Sequence, residues 1–231
     1  MSDLRNYKVE APGPVTLRGR FVTLEPYEAG RHLQALWEGL GGMGVNQLTR
    51  YFPNDDFVGI DDFGAWLEKA RTQSNFMTLV FRDNTSGRIV GMASYMRPDP
   101  KNGVVEVGSV AHGPDVQRSP LTTEAHYLMA RHVFEDLGYR RYEWKCHNEN
   151  EASKRSAVRY GFTFEGVFRQ HVISKGANRD TAWFSMIDRE WPVLKQAFEA
   201  WLAPANFDAD GSQKRRLEAI REEITTGVQH E

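Results

Sequence analysis

Residues 106–161 constrain the fold more than any other part of the chain. They read as a strand ending in Val110-Ala111, a loop from His112 to Ser119, and a helix opening at Pro120. A second strand over residues 139–146 follows, then a second helix from about Asn150, and the unit closes on Gly161-Phe162. A strand–helix–strand crossover normally returns parallel, so the sheet must contain one parallel step. Two neighbouring strands that part at such a step leave a gap for a ligand. The helix that starts at Pro120 adds unpaired backbone N–H groups and the positive end of a dipole, which suits an anion.

The remaining segments supply a sheet around this unit. Residues 1–14, ending Ala11-Pro-Gly-Pro14, read as an extended arm. Residues 15–26 read as a first strand broken at Gly19. Leu33, Leu36, Trp37 and Leu40 recur at i, i+3, i+4 and i+7, which predicts an amphipathic helix over 28–40. The run Gly39-Leu-Gly-Gly-Met-Gly44 then matches a G-x-G-x-x-G pattern. The nucleotide reading needs a strand before it and a helix after it. Here a helix precedes and 45–54 reads as loop, so the run is a flexible interhelical connection. Asp61 is placed to cap a helix reaching Arg71.

Three β-rich runs at 76–81, 88–96 and 103–111 are joined by turn-forming segments and predict an antiparallel meander. Leu121, Ala125, Leu128, Met129, Val133 and Leu137 predict a helix over 121–137, with Gly138 as its left-handed cap. Two further strands at 161–174 and 179–187 flank Lys175-Gly-Ala-Asn178, and a Trp-rich helix spans 190–202. The charged tail 203–231 carries Leu217, Ile220 and Ile224 at helical spacing, so it can form a short helix that docks on the body, meets a partner or stays free. The expected organisation is an arm (1–14), one domain (15–202) and that tail.

Several function classes are set aside by composition. The 29 basic and 31 acidic residues nearly cancel, so no global field draws the chain to nucleic acid or membrane. The lone Cys146 excludes an internal disulfide and a Cys-rich zinc site. His112, His126 and His132 lack metal-ligand spacing, and no metal is expected. No apolar run approaches the roughly 18 residues that span a bilayer, and the N-terminus is not a signal peptide. The expectation is a soluble cytoplasmic protein, and a homo-oligomer is compatible with the sequence.

Three motifs in order give the chain a family likeness. Glu106-Val-Gly-Ser109 precedes Gln117-Arg-Ser-Pro-Leu-Thr-Thr-Glu-Ala125; Asn150-Glu-Ala-Ser153 precedes Tyr160-Gly-Phe162; Glu165-Gly166, Arg169 and Asp180 follow. The set resembles the GNAT superfamily of acyl-CoA-dependent N-acyltransferases, and within it the RimJ/RimL-type ribosomal-protein N-acetyltransferases. The likeness implies an α/β (α+β) fold: a mixed, mostly antiparallel sheet with helices on both faces and a parallel strand split that forms the acyl-CoA cleft. It implies acetyl-CoA (coenzyme A) as co-substrate and an amine acceptor, either a small molecule or a protein N-terminus.

Site residues follow by the same resemblance. Backbone groups near Val110 and His112 would pair with the pantetheine arm and polarise the thioester carbonyl. Gln117, Arg118, Ser119, Leu121, Thr122 and Thr123 would form the pyrophosphate loop, in which the family's first glycine falls at Pro120 and its second small residue at Thr122. Proline supplies no N–H but suits the first helical position, and Ser119 as N-cap with the Thr122 or Thr123 hydroxyls could replace lost contacts. Asn150 and Ser153 match the branch's cofactor-contacting asparagine and the serine that hydrogen-bonds the departing sulfur; either could also simply cap the helix. The branch's proposed glutamate base falls at Val172. Glu106 and His171 are the candidate bases, each with a plain structural alternative. Tyr51, Phe52 and Trp66 could line the acceptor side. The rivals to an N-acetyltransferase are a non-catalytic acyl-CoA sensor, motivated by Pro120 and Val172, and a partner-binding protein with a vestigial site, motivated by the tail.

Overall fold

A computed structural model describes residues 4–228. In chain order the elements are β1 (Leu17–Arg18), β2 (Val22–Pro26), α1 (Ala29–Gly39), α2 (Val45–Leu48), α3 (Ile60–Ser74), β3 (Met77–Asp83), β4 (Ile89–Asp99), β5 (Val104–His112), α4 (Pro120–Arg131), β6 (Arg141–His147), α5 (Glu151–Tyr160), β7 (Thr163–Ser174), β8 (Ala177–Ile187), α6 (Trp191–Leu202) and α7 (Leu217–Val228). The strands form one sheet in the order β1-β2-β3-β4-β5-β6-β8-β7. All pairs are antiparallel except β5–β6, which the α4 crossover makes parallel.

Both faces of the central strands are buried, so β3 and β4 read as near-continuous apolar runs. Val80, Ile89 and Met92 pack with Leu36, Phe63 and Leu67 of α1 and α3. On the opposite face Phe81, Val90, Tyr95 and Tyr142 pack with Leu128 of α4, Ala157 of α5 and Phe198 of α6. Glu124 ties the first hairpin to this second layer: its buried carboxylate accepts the amides of Arg20, Phe21 and Val22 at 2.8, 2.6 and 3.1 Å.

Some local expectations are corrected. Gly59, not Asp61, precedes the first helical residue of α3, and Asp61 and Asp62 sit in its first turn, where their charge suits the dipole. The 45–54 segment contains a short helix. The glycine run before it serves close packing: a Cβ on Gly39 would lie 1.9 Å from the Ile89 carbonyl oxygen, and one on Gly113 would lie 2.1 Å from that of Gly39. The last turn of α4 widens into a π-turn over His132–Asp136 before Gly138 closes it at φ 70°. The tail docks on the body: Leu217 and Ile220 are buried beside Trp201 of α6, and Arg221 donates to the carbonyls of Arg159 and Val158.

The parallel pair is short. β5 and β6 are in register from Val104↔Arg141 to Val107↔Trp144 and then part. Two bulges interrupt the β4–β5 ladder beside this point: Ser109 (φ 50°) is the extra residue on β5 and Arg97 (φ 46°) the extra residue on β4. Neither is a residue for which the left-handed region is easy, and local strain of this kind collects at functional sites.

Candidate functional site

Where β5 and β6 part, a cavity of about 1000 Å³ opens along the sheet. Arg97, Ser109 and Arg118, three of the left-handed non-glycine residues, line it. One end is built by the start of α4 and a face of α5. Ser119 donates its amide back to the Val116 carbonyl and Pro120 has no N–H. Helical geometry therefore leaves the amides of Leu121 and Thr122 as the open donors. Arg118, Arg155 and Arg159 surround them on the cavity wall. Arg159 donates to Thr123 Oγ1 at 3.0 Å, so that hydroxyl is held as an acceptor for the guanidinium.

Ser119 occupies the N-cap position, but its side chain does not cap: the hydroxyl donates to Val116 O at 2.7 Å. The Thr122 hydroxyl likewise turns back, to the Ser119 carbonyl at 3.0 Å. Both hydroxyls are thus spent on loop carbonyls in this structure, and the positive charge at this end of the cavity comes from Arg118, Arg155 and Arg159. Among the predicted loop residues, Gln117, Arg118, Thr122 and Thr123 line the cavity, whereas the side chains of Ser119 and Leu121 serve the loop and the core.

The middle of the cleft is framed by Val110, His112, Trp144, Cys146, Asn150 and Ser153. Asn150 caps α5, accepting the Ser153 amide on Oδ1 at 3.1 Å. Ser153 Oγ accepts the indole N–H of Trp144 at 2.9 Å, which leaves its own proton to donate. Burial pushes the Cys146 thiol up, with the Ser153 hydroxyl opposing that shift only in part, so this cysteine is a protonated core thiol. His112 and His126 share an Nε2···Nε2 contact of 3.2 Å behind the cleft. His112 keeps some surface toward the cavity, yet protein encloses its ring, and burial lowers its pKa to about 4; His126 is driven down by the same cause. Both imidazoles are neutral near pH 7, as a single shared proton requires.

Glu106 lies at the start of the divergence, buried, with Arg97 Nη1 at 2.9 Å and Lys145 Nζ at 3.0 Å, both on Oε2. Its Oε1 has no protein partner among the described residues. Lys145 reaches on to Glu143 at 2.7 Å, Arg141 joins Glu143 at 2.7 Å, and Arg141 forks onto Glu165 at 2.7 and 2.5 Å. Alternating charges thus link residues of four strands, β4, β5, β6 and β7, and Glu165 belongs to this structural ladder. His171 stands apart from the other candidates. It is exposed on β7, its Nδ1 is 3.0 Å from Thr181 Oγ1, its ring packs on Trp183, and it is not among the cavity-lining residues.

The far end is aromatic. Tyr51, Phe52 and Trp66 line it as the sequence suggested, together with Arg50 and Arg179. The β7–β8 hairpin closes over this end: Lys175 pairs with Asp56 at 3.2 Å, and Arg179 Nη1 donates to the Tyr51 carbonyl at 3.4 Å. Arg155 and Arg159 had a legible signal, since they lie four apart on α5 and share a face. Arg50, Trp144 and Arg179 had none, because only the tertiary fold brings them together. Among the described residues, no group of three or more His, Cys, Asp or Glu side chains could hold a metal ion, and no helix is long and apolar enough to cross a membrane.

Comparison with known proteins agrees with this geometry. The family described as the acetyltransferase (GNAT) domain matches residues 22–163. No curated protein matches the chain. Among solved structures, a GCN5-related N-acetyltransferase from Brucella melitensis is 45% identical, with a TM-score of 0.89, covering 94% of this chain and 99% of its own. A probable GNAT-family acetyltransferase from Chromobacterium violaceum is 35% identical, with a TM-score of 0.77, covering 83% and 96%. The microcin C7 self-immunity acetyltransferase MccE, solved with acetyl-CoA and AMP, is 22% identical with a TM-score of 0.62 over 73% and 93%, a likeness of fold alone.

Proposed function

Since the chain belongs to the acetyltransferase (GNAT) family, whose members take an acetyl group from acetyl-CoA, we propose that it passes that group directly to the primary amine of an acceptor, with no acyl-enzyme. The observation that carries this reading is the parting of β5 and β6 into a cleft that is cationic at one end and aromatic at the other. Leu121 and Thr122 amides with Arg118, Arg155 and Arg159 would hold the phosphates, and Gln117 and Thr123 would shape that end. The backbone from Val110 to His112 would hold the uncharged arm.

Acetyl-CoA supplies an activated thioester; the new N–C bond forms as the C–S bond breaks. Glu106 Oε1 accepts the amine proton, directly or through a water, while the sulfur departs as a thiolate that the Ser153 hydroxyl stabilises by donating a hydrogen bond and that then takes a proton from solvent. Asn150 fixes Ser153 by capping α5, and Trp144 fixes the hydroxyl's orientation. Asn150, Ser153 and the Gly161-Phe162 closure also support the RimJ/RimL-type branch as the nearer kinship. His171 and Val172 take no part in this scheme, so a base on the closing strand is replaced by the acid on β5. The cytoplasm, where acetyl-CoA is made available to soluble enzymes, fits this activity.

Release of free thiol from acetyl-CoA, followed across a panel of primary amines and N-terminal peptides, tests the proposal. Amine-dependent release supports it. Binding of acetyl-CoA without amine-dependent release identifies a sensor instead.

A further inference from the structure

The aromatic end of the cleft holds positive charge that the protein does not neutralise. Lys145 and Arg97 are matched there by Glu106 and Glu143. Arg179 is not matched. It is half-buried; among the described residues its one hydrogen-bond acceptor is the Tyr51 carbonyl at 3.4 Å, and its Nε is buried with no partner. Arg50 likewise meets no carboxylate among the described residues: it donates to the Gln47 carbonyl at 2.9 Å and lies 4.8 Å from the Tyr51 ring centre. A guanidinium withdrawn from water without a counter-charge is costly, and a bound anion would offset that cost. Burial accordingly lowers the Arg179 pKa, while the Glu106 carboxylate opposes that shift, so its charge lies within reach of the reaction centre.

The phosphates of coenzyme A cannot be that anion if they sit at the α4 end, because the arm that reaches the aromatic end is uncharged. The anion must then arrive with the acceptor. We propose that the acceptor is an amine that also carries a carboxylate, which Arg179 and Arg50 hold while Tyr51, Phe52 and Trp66 cover its apolar body. This rests on the acetyltransferase reading and on the aromatic end being the acceptor side. The planar fork of Arg179 suits a carboxylate bidentately, and a tight aromatic wall favours a compact amino acid or a peptide's first residue. The carboxylate can be the main-chain group of a free amino acid or the side chain of an acidic N-terminal residue.

The test uses the full chain saturated with coenzyme A, titrated calorimetrically with matched probes: phenylalanine against phenylalaninamide, and Glu-Ala-amide against Gln-Ala-amide. The carboxylate member of one pair should bind about ten- to a hundredfold tighter, and which pair shows it separates the two sources. Arg179→Gln should bring that ratio close to one, and Arg179→Lys should keep part of it, as a point charge without the fork. Arg50→Gln should reduce it as well, which keeps the inference testable if Arg179→Gln does not fold. Equal binding or no binding by both members of each pair overturns the inference, as does a ratio that survives Arg179→Gln. Failure of coenzyme A itself to bind is a different result, and it overturns the acetyltransferase reading instead.

Discussion

Ser153 lines the cleft with one lone pair used by the Trp144 indole N–H, which orients the hydroxyl and leaves its O–H to donate. A donor that meets charge on the sulfur as the thioester breaks strengthens in the transition state, and only such contacts raise kcat. Ser153→Ala should therefore lower kcat about ten- to a hundredfold with little change in acetyl-CoA affinity. Glu106→Gln should act in the same direction, lowering turnover much more than cofactor binding. Calorimetric affinity beside steady-state kinetics checks both, and equal losses of affinity and rate would remove the assigned roles. The buried imidazoles make a separate prediction. Unfolded histidine titrates near 6.5, whereas His112 in the fold is held at about 4, so between those values the unfolded chain binds more protons. Stability from this source is complete above pH 6.5, falls as the pH drops toward 4, and amounts to roughly 3 kcal/mol for His112 alone. His126 adds a loss of the same sign. Glu25, held near 2 chiefly by its hydrogen bond from Arg82, adds another below its ordinary range. Denaturant midpoints measured from pH 7.5 down to 4.5 should decline; a flat profile would contradict the buried neutral pair.

At the scale of elements, what local pattern controls was legible and what distant packing controls was not. The α4 and α5 helices, the meander and the parallel step follow from hydrophobic period, turn residues and crossover geometry. Gly138 and Gly161 end their helices at positive φ, as glycine there implies. The turn into α4 was legible by position but not by contact. Val116 and Ser119 supply carbonyls that draw the Ser119 and Thr122 hydroxyls away from the cavity. The aromatic end of the cleft depended on the β7–β8 hairpin returning Arg179 to Tyr51, a meeting that no spacing encodes. The tail was the most ambiguous segment because its apolar residues fit three fates. In the fold Trp201, Phe207, Ser212, Gln213 and Glu218 reach the same cavity wall as Arg159, and Arg221 braces the Arg159 carbonyl. Ending the chain at Leu202 removes the buried Leu217 and Ile220, worth roughly 1.5–3 kcal/mol each before the entropy of ordering the segment is set against them. The truncated protein should melt at lower temperature and bind coenzyme A more weakly. Unchanged melting and affinity would show that the tail is an appendage.

For the molecule as a whole, one sheet divides two apolar layers, and the functional cleft lies where that sheet is forced to part. Strain at Arg97, Ser109 and Arg118, charge at Arg118, Arg155 and Arg159, and the Ser153–Trp144 contact converge on one volume. That convergence is the basis for reading Pro120 as a loop that has exchanged an amide donor for arginine charge, with cofactor binding retained. Calorimetric titration of the full chain with acetyl-CoA, with coenzyme A as comparison, tests this most directly. The account predicts one site of micromolar affinity, about −8 kcal/mol, with the two ligands similar because the phosphates carry the binding. An absence of heat and of displaceable ligand at millimolar concentration would contradict it, leaving the fold without the reaction.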